Sequence, residues 1–354
     1  MNYQRKLRFL TSLMILFSVL LSACSNQPAP APAEPGEPPV GPTAEQPVGE
    51  PVDDGQHKAV TILFPQEITA LSPLYTTSYF ERIIHQLWNA WAWDFDEQNN
   101  PRPMLVSEIP SSENGGISAD GRVITMKLRQ DLTWSDGTAL TSQDFLFTYQ
   151  MFISSNNQVA SREPYSLLES LETPDAHTVV MTFAAPYAPW RAVSWHGLLP
   201  YHILNPIFDA EGTVDNAEWN QQPSVGCGPY VFAEWTPGSH VRFTANPNYW
   251  LGQPEIDEIL IRFVADSEQV GALTSGTGDM GTFFAFSDIP TLEAAGLSIS
   301  KVFSGFNEGL SFYLNPVYGH PALQDIRVRQ AIAMAVDRQA LLDELFGGQA
   351  QAAI

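Results

Sequence analysis

The hydrophobic pattern changes period between residues 123 and 153. Ile124, Met126 and Leu128 alternate with Thr125, Lys127 and Arg129, which is the period of a strand with one face buried. Ser135-Asp136-Gly137 then supplies a tight turn, because glycine takes positive φ without a Cβ penalty. Thr141 and Asp144 stand three apart before an apolar run. The hydroxyl accepts a free first-turn N–H and the carboxylate reaches back, so a helix starts here. Phe145, Leu146, Tyr149, Phe152 and Ile153 fall on one face at helical spacing.

Similar signals recur along the chain. Residues 59–64 (AVTILF) read as a buried strand and 80–91 as a helix. Residues 178–183 alternate after a Pro-Asp turn, and 230–235 with 241–245 form a hairpin around Pro237-Gly238. A strand over 256–263 leads into a helix over 267–274. Asp325 caps a helix whose buried face is Ile326, Ile332, Ala333 and Val336. Asp337 starts another helix, which Gly347-Gly348 ends.

The first 57 residues carry no such pattern. Arg5, Lys6 and Arg8 precede an apolar run over 9–21 that ends in Leu21-Ser22-Ala23-Cys24. A basic start, a short apolar segment and small residues before a cysteine describe a lipoprotein signal peptide over 1–23, with Cys24 as the lipidated residue. Residues 24–57 are rich in Pro, Ala and Glu and cannot bury a core, so they read as a disordered tether.

Composition narrows the chemistry. A formal net charge of −22 disfavours nucleic acid, whose phosphates require clustered Lys and Arg. With Cys24 carrying lipid, Cys227 is the one cysteine left, and no disulfide framework is possible. The seven histidines are scattered, and neither H-E-x-x-H nor G-x-S-x-G occurs. No catalytic residue, metal site or cofactor is therefore expected, and the protein reads as a binder, not an enzyme. Gly276-Thr277-Gly278-Asp279-Met280-Gly281 satisfies G-x-G-x-x-G. A dinucleotide site must follow a strand and open a helix, whereas this stretch follows a helix, so it reads as a helix-to-strand turn. Trp88, Trp91 and Trp93 are spaced three and two apart. They cannot all face one core, and at least one should line a surface or cleft, where aromatic rings bind apolar or ring-bearing solutes.

Three ordered motifs carry a resemblance. Leu128-Arg129 with Trp134-Ser135-Asp136-Gly137 and Leu140-Thr141-Ser142-Gln143-Asp144-Phe145 is the first. Gly226-Cys227-Gly228-Pro229-Tyr230 is the second, and Pro321-Ala322-Leu323-Gln324-Asp325-Ile326-Arg327-Val328-Arg329 the third. Together with Asn246-Pro247-Asn248-Tyr249-Trp250 they resemble the bacterial extracellular solute-binding proteins of family 5, the peptide-, oligopeptide- and nickel-binding subunits of ABC importers. The resemblance runs over about residues 59–354. It implies an α/β, type II periplasmic-binding-protein-like fold of two lobes with mixed sheets. Residues 58–92 and 198–264 then form lobe I, 93–197 an extra subdomain on its side, and 265–354 the start of a second large lobe. That lobe is expected to be incomplete at Ile354, leaving the apolar faces of the last helices open to water.

In function, the resemblance implies a monomeric, lipid-anchored protein on the extracytoplasmic face of a membrane. It captures a peptide or similar small solute between its lobes and hands it to an ABC transporter permease. A secreted or anchored ligand sensor of the same fold is the alternative, with a secreted hydrolase behind it. The ligand set implied is Tyr75, Trp88, Trp91, Trp93, Gly226, Cys227, Gly228 and Phe306. Cys227 stands where the family has a polar residue. Arg327 and Arg329 are expected to tie lobes together by ion pairs.

Overall fold

The computed structural model describes residues 57–96, 98, 100–193, 197–300, 309 and 311–348. The signal peptide, almost all of the tether, Cys24 and Phe306 lie outside them. The described chain is built on a mixed five-stranded sheet. Its strands are β1 (Ala59–Phe64), β7 (Tyr230–Thr236), β8 (His240–Ala245), β9 (Glu258–Phe263) and β10 (Met280–Gly281), in the order β10-β1-β9-β8-β7. β1 runs parallel to both β9 and β10, with Ala59 beside Glu258 and Ile62 beside Met280. β7, β8 and β9 are antiparallel neighbours. Successive residues of a strand face opposite sides, and β1 uses both. Phe64 joins the main core, while Leu63 packs with Leu273 and Leu292 from α4 (Asp266–Thr274) and α5 (Ile289–Ala294) on the other side.

A second, antiparallel sheet has the order β4-β6-β5, made of β4 (Val123–Lys127), β5 (Leu168–Asp175) and β6 (Thr178–Phe183). Ile124 and Met126 are fully buried and Lys127 is exposed, as the alternation requires. β5 was not evident from the pattern because Glu169, Glu172 and Pro174 interrupt it, and two register shifts against β6 accommodate them. A short ribbon pairs β2 (Trp93–Phe95) with β3 (Pro101–Pro103).

Helix ends follow local chemistry. α1 (Tyr79–Trp88) stops three residues short of the expected end. Asn89 turns extended, and its side chain bonds the segment at Leu198 instead of continuing the helix: Nδ2 donates to Leu198 O at 3.0 Å and Oδ1 accepts from Leu198 N at 2.9 Å. α2 (Ser142–Ile153) begins with the expected box. Thr141 Oγ1 accepts from Gln143 N, and Asp144 Oδ2 accepts from Thr141 N at 2.9 Å. Its buried face keeps Phe145 and Phe152 as expected but turns toward Phe147, Thr148 and Met151, leaving Leu146 and Tyr149 half-buried and Ile153 exposed. The cause is polar. Asp144 Oδ1 accepts from Tyr201 N at 3.0 Å and Thr148 Oγ1 from Leu199 N at 2.9 Å, which pulls this side of α2 against the start of α3 (Tyr201–Glu211).

The glycine-rich stretch at 276–281 joins α4 to β10, as a helix-to-strand turn should. Asp279 locks it to β1, accepting from Thr61 N at 2.8 Å and donating its own N–H to Thr61 O. Further on, α6 (Ile326–Ala335) and α7 (Arg338–Phe346) carry the predicted caps, Asp325 and Asp337, and Gly347 ends α7 at φ 56°. The apolar faces of the last helices are open to water, as expected for this segment, and the buried face that the spacing gave α6 is not formed. The face of α6 is not buried: Ile326 is 57% exposed, and Ile332, Ala333 and Val336 are half-buried. Nor do the arginines reach a second lobe among the described residues. Arg327 turns back on its own cap, Asp325, at 2.6 Å, and Arg329 donates to the carbonyls of Leu323 and Gln324.

Candidate ligand pocket

Asn89 is a buried hub. Besides Leu198, its Oδ1 accepts from Ala90 N at 2.9 Å and from the Cys227 thiol at 3.3 Å. Burial pushes the Cys227 thiol well above its ordinary range, so it remains a neutral donor. The loop carrying Cys227 lies flat on the end of α1. Gly228 N donates to Trp88 O at 3.0 Å. A Cβ on Gly226 would overlap that same carbonyl oxygen, and one on Gly228 would come within 2.6 Å of Leu87 O. These glycines are required by close backbone packing.

Other motif segments join the same junction. Ser135 exchanges bonds with Gly226, through Ser135 N to Gly226 O at 2.8 Å and Gly226 N to Ser135 Oγ at 3.2 Å. Asn248 Nδ2 donates to Ser135 O at 2.8 Å, and Asn246 Nδ2 to Gly228 O at 2.8 Å. The Trp134–Gly137 turn, the Gly226–Tyr230 loop and the Asn246–Trp250 turn thus meet at the C-terminal end of α1.

Beside this junction lies a pocket of about 140 Å³, lined by Gln86, Asn89, Ala90, Trp91, Trp93, Asp94, Met104, Pro229 and Tyr249. Its walls are largely apolar. Trp93 is fully buried, edge-on to Trp190 at 5.3 Å, and its Nε1 has no hydrogen-bond partner among the described residues. Burial, with help from the nearby Asp94 carboxylate, pushes the Tyr249 hydroxyl up to about 12, so it is neutral at physiological pH. Asp94 supplies the pocket's negative charge and pairs with Arg102 at 3.3 Å. Tyr249 leads outward to Trp250, whose ring carries the Arg129 guanidinium at 4.6 Å.

Of the expected ligand residues, Trp91 and Trp93 line this pocket. Gly226, Cys227 and Gly228 form its floor-side junction through Asn89 without lining it. Trp88 is fully buried, edge-on to Trp219 at 5.4 Å. Tyr75 stands apart: its hydroxyl donates to Asp215 at 2.8 Å, and its loop is fixed by Leu71 N and Ser72 N on Asn220 O. Asn89, Met104 and Tyr249 were missed. Tyr249 lay in a motif legible as a hairpin closure. Asn89 had one signal, a buried-prone polar residue amid tryptophans at a helix end.

Comparison with known proteins places this geometry. Residues 100–354 match the family model described as bacterial extracellular solute-binding proteins, family 5 middle. The chain belongs to this family. Among the family 5 relatives, the oligopeptide-binding protein AppA of Bacillus subtilis is 25% identical over 367 residues, covering 100% of this chain and 61% of that protein. Di/tripeptide-binding protein 2 of Pseudomonas aeruginosa is 28% identical over 312 residues, covering 79% of this chain and 54% of its own. The present chain thus spans between about half and three fifths of these relatives. Among solved structures, NikZ from Campylobacter jejuni in complex with Ni(L-His) superposes with a TM-score of 0.66 at 23% identity, over 83% of this chain and 56% of that one. AppA from Bacillus subtilis with a nonapeptide gives 0.64 at 23%, over 84% and 57%. At this identity the likeness establishes the fold, the α/β type II periplasmic-binding-protein architecture with mixed sheets. No helix among the described residues is long and apolar enough to cross a membrane.

Proposed function

We propose that this chain captures short peptides for an ABC importer and is held to the extracytoplasmic side of a membrane by lipid on Cys24. The observation that carries the reading is the pocket of Trp91, Trp93 and Tyr249, which two motif segments line through Pro229 and Tyr249 and which lies beside the junction where all three segments meet. Apolar walls supply affinity by area burial, and a few fixed polar groups supply orientation. The relatives named for oligopeptides and di- or tripeptides support the substrate class. Closure of two lobes about a hinge, with binding energy favouring the closed form, completes capture, and a permease receives the solute. In this reading residues 58–92 and 198–264 form the first lobe, with 93–197 beside it and 265–354 opening the second.

Intrinsic tryptophan fluorescence tests the site. Adding tri- to pentapeptides should shift the emission of the wild-type chain, and Tyr249→Ala should weaken the response about tenfold, the loss expected for one ring-sized contact. An undiminished response in that variant places the solute elsewhere. Cys24→Ala should abolish incorporation of labelled fatty acid; labelling that persists contradicts the anchor.

A further inference from the structure

A second aromatic surface stands at the other end of α1. Phe283 is the single described non-glycine residue with positive φ, at 64°. A bulky residue in this region is strained and persists only where its surroundings hold it. Its ring is edge-on to Tyr79 at 5.4 Å and to Phe80 at 5.3 Å, and Phe80 in turn packs on Phe64 at 5.2 Å. The inner part of the cluster joins the core, yet Phe283 is 58% exposed and Tyr79 47%. Phe64 ends β1, and Phe283 lies two residues past the end of the parallel β10. The rings therefore stand beyond the carboxyl ends of parallel strands, where ligands of open α/β sheets collect.

Helical geometry relates this cluster to the pocket. Tyr79 and Gln86 are seven residues apart in α1, so they share one face. Gln86 lines the pocket, and both residues are exposed. Seven residues at 1.5 Å each separate them by about 10 Å along the axis. An extended peptide covers that distance in about three residues.

We propose that Tyr79 and Phe283 form a specificity platform for an uncharged apolar or aromatic side chain of the bound peptide, about three residues from the part seated against Trp91, Trp93 and Tyr249. The inference rests on the peptide-capture reading and extends it: the solute lies along the open face of α1. A preference for a large apolar residue at one register is the consequence, and the charge of the flanking residues matters less.

Calorimetric titration of the whole chain with pentaalanine and the five pentaalanines carrying a single Phe tests this. Wild type should bind one register about tenfold more tightly than pentaalanine, the gain expected from burying one ring against two. Phe283→Gly should erase that gain while leaving affinity for pentaalanine unchanged. Glycine accepts φ 64° without strain, so the melting temperature of this variant should not fall. Equal binding of all six peptides, or a gain that survives Phe283→Gly, overturns the platform but leaves peptide capture standing. A variant that melts several degrees lower shows that the ring is structural and also overturns it. Wild type that binds none of the six overturns both.

Discussion

The junction at the end of α1 and the pair of helices at 326–346 obey the same local rules and end differently. Both regions have Asx or Thr caps at helix starts and apolar residues at helical spacing. Around α1 and α2, those residues close into one core with Trp88, Trp93, Trp134, Phe147 and Phe152 fully or almost fully buried. In α6 and α7 no residue is buried, and the side-chain bonds of Asp325, Arg327, Gln339 and Asp337 stay within a few residues. The lesson is that capping and periodicity place a helix, whereas tertiary burial of an apolar face supplies most of its stability.

Substitutions that probe burial should separate the regions most. Trp88→Ala removes a fully buried indole and its contact with Trp219, and should cost about 3–5 kcal/mol in urea unfolding. Leu345→Ala, at a residue 61% exposed in α7, should change global stability by no more than about 0.5 kcal/mol. A comparable loss from Leu345→Ala would mean that α7 shares the core's cooperativity.

Asn89→Ala comes next. It strands Leu198 N–H and C=O, Ala90 N–H and the Cys227 thiol in the interior. At about 1–3 kcal/mol for each buried group left unpaired, partly relieved by relaxation, a loss of about 3 kcal/mol is expected. It should also speed alkylation of Cys227, whose burial now keeps it a thiol. A stable variant with unreactive Cys227 would show that Asn89 is not the hub.

Much of this was legible in the chain. The alternation at Ile124 and Met126, the Thr141–Asp144 box and the Gly276–Gly281 turn announce themselves because each is a contact between near neighbours. The face of α2 was legible only at Phe145 and Phe152, because apolar residues occupy two sides of the helix. The choice falls to Asp144 and Thr148, whose partners Tyr201 and Leu199 are more than 50 residues away. The site divided the same way. Trp91 and Trp93 stood out as surplus tryptophan, but Gly226 and Gly228 gave no hint that the backbone they admit is that of Leu87 and Trp88.

Charge gives a smaller effect, with its sign fixed by two carboxyls. Arg242, then His240, holds Glu234 down to about 2. A depressed folded value means stability that is present above the unfolded value near 4.5 and lost as pH falls toward 2. Glu234 is 45% exposed, so screening reduces the contribution to about 1 kcal/mol. Glu234→Gln should lose about that much at pH 7, and the difference should vanish near pH 2. Burial raises Asp144 instead, so its contribution has the opposite slope and weakens stability as pH rises through its folded value. Thr141→Ala, which removes the cap of α2, should cost about 1 kcal/mol globally. Asp337→Ala should speed amide exchange in α7 and leave the unfolding midpoint in place.

The central claim is that solute is held in the pocket beside the junction where the three motif segments meet. Amide hydrogen exchange of the chain with and without saturating pentapeptide tests it directly. Slowed exchange should appear in residues 86–104 and 226–250 and leave residues 326–346 unchanged. Protection confined to residues 326–346, or none anywhere in the presence of bound peptide, would contradict the account.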